Sequence, residues 1–356
     1  MVGRQTFATI NLRALQHNFS VMSQCAVASK TIAVIKADAY GHGAKQVAEA
    51  LASQVEVFAV AFIDEALVLR EQGITQPILL LEGVMDSEEI ACARQHNFWV
   101  MIHTTEHFTW LRNLPEKQRP VFWIKIDTGM HRLGFTLQKT AQALRDNQDL
   151  LKPDTVLCSH LACADELQHP LNLKQTGLLR ELATRYSLPM SMANSAGITN
   201  WPDSHGNWNR LGIALYGSAQ PAEANTSLLP VMSLHAPIIA LRHIAAGESV
   251  GYAQSYTVTR ATTIATVAIG YADGYPRHAT HGARAWLNNQ FVPLVGRVSM
   301  DMLTFDVTDL PQVQVGDSVE LWGENMSVET VAKNASSISY ELLTRLSPRV
   351  KRRYIK

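Results

Sequence analysis

Between residues 31 and 213 the chain alternates short β-branched or aliphatic runs with longer stretches whose apolar residues recur every three or four positions. The short runs, at 31–35, 55–61, 77–81, 98–102, 121–126, 155–160, 189–193 and 208–213, read as strands. Helical spacing lies between most of them, over 44–53, 64–72, 86–96, 105–113, 137–146 and 166–186. A strand at 6–11 and an amphipathic helix at 12–22 come first. Eight strand–helix units in succession imply crossover connections and a parallel sheet, and they predict a closed (β/α)8 barrel of the TIM type. An open doubly wound sheet is the rival. No GxGxxG follows the first strand, which removes the usual support for a dinucleotide-binding version.

From Leu228 onward the helical period disappears and β-rich runs take over, among them VMSLHAPIIALRHI, ARAWLNNQFVPLVGRV and VQVGDSVELW. Turn residues such as Asn288-Asn289 and Gly316-Asp317 separate them, so this part reads as a mainly antiparallel β domain with one helical segment at 328–346. The boundary is placed between 225 and 226: residues 1–225 form the barrel, 226–356 the β-rich domain, and residues 1–10 are left open between the two. The junction at 220–226 is short, which predicts firm packing.

A chain of 356 residues is long enough for two cores. Lys plus Arg and Asp plus Glu both total 31, so no charge excess exists to hold a nucleic acid or an anionic membrane. The start, MVGRQTFATINL, lacks the apolar core of a signal peptide, and no apolar run reaches membrane-spanning length; a cytoplasmic location is expected. The four cysteines are too scattered for a disulfide framework. CSHLAC sets His160 between two of them, but no matching CxxC or HxxxH supplies further ligands, and no metal is expected.

The candidate chemistry starts at Lys36, where the apolar run TIAVIK meets a loop with two glycines, ADAYGHG. A lysine in an apolar setting gives up its charge readily, and its neutral amine forms a Schiff base with a carbonyl. The plainer alternative is a lysine that ends a strand and points to solvent. In a barrel, catalytic groups gather at the carboxyl ends of the strands. Lys36 and Tyr40 follow the first strand; Lys125, Asp127 and Arg132 lie at the fifth; His160 closes the sixth; Ser195 follows the seventh; Arg210, Gly212 and Ile213 lie on or after the eighth. The last two loops are the usual phosphate cradle of such barrels, which points to Ser195, Gly212 and Ile213. Taken singly, each residue has an ordinary explanation as a core histidine, a snorkelling lysine, an ion-pair partner or a helix cap. Taken together, a buried cationic cluster is costly unless it faces an anion.

The segments AVIKADAYGHG, IKIDTGMHRLGF, SHLACAD, ANSAGI, RLGIALYG, VGYAQSY, IGYADGYPR and GRVSMDML, in this order, resemble the alanine racemases, fold-type III pyridoxal phosphate enzymes. The resemblance runs from about residue 4 to about residue 350. It implies pyridoxal 5'-phosphate held as a Schiff base on Lys36, which also serves as the base on one face of the substrate. Tyr252, from the neighbouring subunit of a homodimer with shared sites, would be the second base. Tyr40, Ser195, Gly212, Ile213 and Tyr340 match the phosphate ligands, Arg132 the partner of the phenolic oxygen, and Arg210 the partner of the pyridine nitrogen, with His160 relaying between Arg210 and Tyr252. Met300 and Asp301, again from the partner, match the residues that hold the substrate carboxylate together with Arg132. Asp165, Tyr271, Arg277, Arg297 and Ile338 match the entry channel. Lys125 matches a lysine carbamylated in many members, giving Arg132 an anionic neighbour; Asp127 is the alternative neutraliser, and a plain lysine encodes both states.

Inversion at Cα removes a proton from one face and returns it on the other, which suits two bases on opposite sides. A broad-specificity racemase on the same scaffold is the alternative. A decarboxylase of basic amino acids is disfavoured, because that family sets a glutamate where Arg210 stands and no cysteine follows Cys163. The sequence leaves open a biosynthetic or a catabolic role.

Overall fold

Strand runs that are apolar on both faces and amphipathic helices between them account for one half of the molecule. The structure is a computed structural model describing residues 3–218, 227–279 and 282–356, so the expected junction at 220–226 lies outside the described residues. The chain forms two compact units: Gln16–Ala39 with Gly43–Leu228, and Met1–Leu15 with Tyr40–His42 and Leu229–Lys356.

In the first unit the strands run in the order Trp208–Leu211, Lys30–Val34, Phe58–Val60, Ile78–Leu80, Phe98–Ile102, Phe122–Asp127, Val156–Cys158 and Met190–Ser191. Every ladder among them is parallel. The two ends of the series meet where Arg210 N–H donates to Ala193 O at 3.0 Å, so eight strands nearly close into the expected barrel. Three tryptophans sit at the amino ends of their strands. The rings of Trp99 and Trp208, on opposite sides of the series, lie 5.7 Å apart, and Trp123 stands 6.2 and 6.0 Å from them. Contact between opposite strands runs through the barrel interior, so these rings fill its amino end and leave the carboxyl end for polar groups.

The helices follow the expected periods, and Leu137–Asp146 matches its forecast at both ends, with Thr136 Oγ1 accepting Lys139 N–H at 3.3 Å as N-cap. Two expectations need correction. The helix expected over 166–186 begins at Leu171, because Pro170 has no N–H for a preceding turn and suits a helix start. The short strand Phe135–Thr136, paired with the end of Phe122–Asp127, was not foreseen.

In the second unit the long strand Met232–Ile244 pairs antiparallel with Phe7–Asn11 and Ser318–Trp322 along its first half and with Thr262–Val267 along its second, shifting register between. Phe7–Asn11 also pairs in parallel with Lys351–Ile355, so the amino-terminal strand belongs to the β-rich unit. The single helical segment expected over 328–346 is two helices, Val328–Asn334 and Ser339–Thr344. Ser336 breaks it by taking φ of +50°, and Ser337 N–H turns back to Ala332 O at 2.9 Å, which caps the first helix.

The seam of the barrel generates a stability prediction. A Cβ on Gly206 would lie 2.2 Å from Met190 O, backbone that cannot step aside without opening the closing strands. Gly206→Ala is expected to lower stability by about 2 kcal/mol or more, read as a lower urea midpoint with unchanged slope.

Candidate functional site

Lys36 stands just beyond the strand Lys30–Val34, and the residues after it do not form the irregular loop that their glycines suggested. Ala37, Asp38, Ala39 and Tyr40 have φ of +52, +52, +53 and +53°, and Gly41 has +80°, so the segment Lys36–Gly41 winds as a left-handed turn. Such a conformation costs L-residues about 1–2 kcal/mol each. Four in succession mark a backbone that its surroundings impose. Gly41 ends the turn where no side chain fits, since a Cβ would lie 2.2 Å from Leu343 O. Asp38 Oδ1 accepts Ala44 N–H at 2.7 Å and fixes the exit into the helix Ala44–Leu51.

Around Lys36 the carboxyl ends of neighbouring strands form a cleft of about 560 Å³ lined by Ala61, Glu65, Glu82, His103 and Leu133 among others. Lys36 Nζ lies 3.4 Å from Glu82 Oε1, and Glu82 O faces His103 Nε2 at 3.0 Å. Sequence reasoning missed Glu82 and His103. The strand-end rule that singled out Lys36 applies equally to LLLEG and to VMIH, where these residues follow the third and fourth barrel strands.

Arg210, on Trp208–Leu211, is 4% exposed and spends its guanidinium on the barrel's own loops. Nη2 donates to Ser159 O at 2.6 Å and Met192 O at 3.1 Å and lies 3.3 Å from His160 Nδ1, while Nη1 donates to Ser191 Oγ. Burial drives the imidazole of His160 well below the ordinary histidine range, reinforced by the charges of Lys125, Arg210, Arg132 and Lys36. It is therefore neutral near pH 7, and with Nδ1 accepting from Arg210 its proton sits on Nε2. Burial likewise lowers Lys125, with Arg210 and Arg132 adding to the effect against Cys158 and Glu82. Asp127, the alternative neutraliser of Arg132, engages its own loop. Its carboxylate accepts from Gly129 N–H and His131 N–H at 2.9 and 3.0 Å and lies 2.9 Å from His131 Nδ1, closing its own loop.

Ser195 opens the helix Ser195–Asn200, and its Oγ accepts both Gly212 N–H at 3.0 Å and Ala214 N–H at 3.2 Å. A hydroxyl has two lone pairs and one proton. With both lone pairs engaged, Ser195 has only a donor left to offer, which suits an anion. A lysine at a strand end, the Ser195 hydroxyl left with a donor, and the nearby charges of Lys125, Arg132 and Arg210 together fit the anionic cofactor pyridoxal phosphate. Among the described residues no group of three or more His, Cys, Asp or Glu is arranged to hold a metal ion.

Arg132, between Phe122–Asp127 and Phe135–Thr136, Ile213, just after Trp208–Leu211, and Asp165, on the stretch before Leu171–Tyr186, are in the barrel unit, and the remaining expected site residues lie in the β-rich unit. Burial pushes the Tyr40 phenol up to about 12, so it stays a donor, and its ring lies 5.9 Å from that of Tyr340. Tyr252 stands on the tip joining Ser249–Val250 to Tyr256–Thr257, where Gly251, Ala253 and Gln254 all take positive φ; it is 67% exposed. Tyr271, Met300 and Ile338 are likewise exposed. Tyr271 N–H donates to Ser299 O and Ala272 N–H to Met300 O at 3.1 and 3.0 Å, which stitches the Met300–Asp301 loop to the Tyr271–Asp273 turn. Asp301 pairs with Arg349 at 2.7 Å. Arg277 lines a separate cleft with Tyr271 and Arg345, and Arg297 is exposed on the loop before Met300.

Comparison with known proteins gives a consistent result. Residues 10–220 match the family model of the alanine racemase N-terminal domain, and residues 231–354 that of the C-terminal domain. The alanine racemase of Alteromonas mediterranea is 45% identical over 353 residues, 99% of each chain. The solved alanine racemase of Acinetobacter baumannii superposes with a TM-score of 0.94 at 39% identity, covering 99% of this chain and 100% of that one. That of Bartonella henselae, with covalently bound pyridoxal phosphate, superposes with 0.91 at 34% identity, covering 98% and 99%.

A buried histidine behind the cleft-lining His103 gives the fold a pH signature. Burial, then the neighbouring His103, pushes His107 down to about 4 from its ordinary 6.5; the two rings meet edge to face at 4.5 Å. Below pH 6.5 the unfolded chain binds a proton that the folded chain refuses, so stability is complete above 6.5 and falls as pH drops toward 4. Urea titrations between pH 7 and 4 are expected to show this loss, and His107→Gln to reduce it by roughly 2–3 kcal/mol.

Proposed function

We propose a two-base inversion of alanine for this chain, which belongs to the alanine racemase family. The observation that carries the mechanism is Lys36 at a strand end inside a cation-rich barrel mouth, with a neutral His160 braced by buried Arg210. Pyridoxal phosphate, when bound, supplies the electron sink that makes the substrate Cα–H acidic. Lys36 anchors the cofactor and moves the proton on one face. Tyr40, Ser195, Gly212, Ile213 and Tyr340 hold the phosphate, Arg132 the phenolic oxygen and Arg210 the pyridine nitrogen. On the opposite face the partner subunit's Tyr252 moves the second proton. His160, with its proton on Nε2, donates toward that tyrosine oxygen. A base that stands in water on one subunit is the feature that supports a homodimer with shared sites.

The partner's Met300 and Asp301, with Arg132, receive the substrate carboxylate, and Asp165, Tyr271, Arg277, Arg297 and Ile338 filter what enters. Carbamylation of Lys125 fits its surroundings. The reaction needs a neutral amine, which joins carbon dioxide and releases a proton to leave an anionic carbamate. Burial favours that neutral amine. Asp127 is occupied by its own loop, so the carbamate gives Arg132 the anion that the sequence left between two candidates. The domain assignment, 1–225 for the cofactor barrel with its first ten residues given over to the β-rich unit, and 226–356 for the second base, belongs to the same proposal.

Three measurements test the reading. Borohydride reduction of the cofactor-loaded chain followed by peptide mass analysis is expected to place a phosphopyridoxyl group on Lys36; no adduct there would favour a barrel that binds some other phosphate. Chiral chromatography with L-alanine, L-serine, L-lysine and L-arginine is expected to show inversion largely confined to alanine. Efficient inversion of the long basic substrates would move the assignment to a broad-specificity racemase. Tyr252→Phe is expected to slow inversion by about 10²–10⁴-fold while the Lys36 adduct still forms.

A further inference from the structure

The left-handed turn after Lys36 is unfavourable backbone, so the groups that hold it also hold the lysine. We propose that Glu65 is a positioning residue for Lys36, its single carboxylate tying the start of that turn to the end of the adjacent strand. The proposal deepens the reading of Lys36 as the anchoring lysine and rests on it. Glu65 Oε1 accepts Ala37 N–H at 2.6 Å, and Oε2 accepts Ala61 N–H at 2.7 Å and Phe62 N–H at 3.3 Å. Ala37 directly follows Lys36; Ala61 and Phe62 directly follow the strand Phe58–Val60.

The placement explains why a side chain is used. Lys30–Val34 and Phe58–Val60 pair in parallel, and Ile35 N–H donates to Ala59 O at 2.8 Å. Two residues later, at Ala37, the backbone is left-handed and has left the ladder. There Glu65 takes over, binding amides from both strands at the point where their own hydrogen bonds stop. It comes from the first turn of the helix Ile63–Glu71, where the free amides of a helix start favour a carboxylate. Glu65 and Lys36 also line the same cleft, so loosening this tie moves the lysine within the site.

The chemistry of the tie separates it from packing. An ionised carboxylate is an acceptor at both oxygens and accommodates three N–H donors. A glutamine of the same shape has one accepting oxygen and one donating nitrogen, so on one side a donor would face a donor. The isosteric change therefore removes polarity and leaves volume alone. Misplacement of a reacting group by about 1 Å costs on the order of a hundredfold.

The test uses the full chain as wild type, Glu65→Gln and Glu65→Asp. Capture of pyridoxal phosphate by the cofactor-stripped protein is followed by absorbance and confirmed by borohydride trapping at Lys36. Amide exchange at Ala37 is measured in parallel on the cofactor-stripped protein. For Glu65→Gln the expected result is capture slowed by about tenfold or more, a similar fall in kcat with KM little changed, and faster exchange at Ala37 with the 30–34 amides still protected. Glu65→Asp, which keeps two acceptor oxygens, is expected to recover part of each loss. Wild-type capture and wild-type exchange in Glu65→Gln would overturn the proposal, as would equal losses in the two variants. If the wild-type chain itself gave no adduct at Lys36, the reading of the site would fall, while exchange at Ala37 would still decide whether Glu65 makes the tie.

Discussion

A buried guanidinium organises both the seam of this barrel and its chemistry. Arg210 cannot lose its charge, so burying it requires acceptors on several sides. The chain supplies Ser159 O, Met192 O and Ser191 Oγ, from the stretches around the sixth and seventh barrel strands. These groups reach the guanidinium only if the strands before it stand in their places, so the cation sets the geometry where the ladder is shortest. The fixed charge then adds to what burial does to its neighbours: burial first keeps His160 neutral, with Lys125 and Arg210 reinforcing it and the contact with Arg210 setting its tautomer, and burial first, then Arg210, lowers Lys125.

The barrel was legible because its signals are local and repeated. Eight apolar runs with helical spacing between them leave few ways to bury the sheet, and each expected strand position carries a strand. The strand-end rule located Lys36, His160 and Arg210 for the same reason. The carboxylate of Glu82 and the imidazole of His103 stand at equivalent strand ends and escaped it. Other features carry no local signal. Nothing in ADAY announces four left-handed residues, because alanine and tyrosine prefer the opposite hand. That conformation is imposed from elsewhere in the chain, by Glu65 at one end and by the crowding of Gly41 at the other. The segment at 328–346 failed for a related reason: its apolar spacing is helical throughout, and only the backbone of Ser336 shows the break.

The same contrast separates what each half of the molecule contributes. In the barrel unit Lys36, Lys125, Arg132 and Arg210 all act on His160, and Glu82 is the carboxylate that opposes the charge on Lys125. Asp127, the next acidic group along the strand that carries Lys125, turns into its own loop. A mouth arranged in this way is short of negative charge by construction. An anion placed there relieves repulsion that the folded chain already carries. The β-rich unit presents Tyr252, Tyr271, Met300 and Ile338, aromatic and apolar side chains standing in solvent. The first unit thus carries an excess of positive charge that suits an anionic cofactor, and the second carries exposed aromatic and apolar side chains.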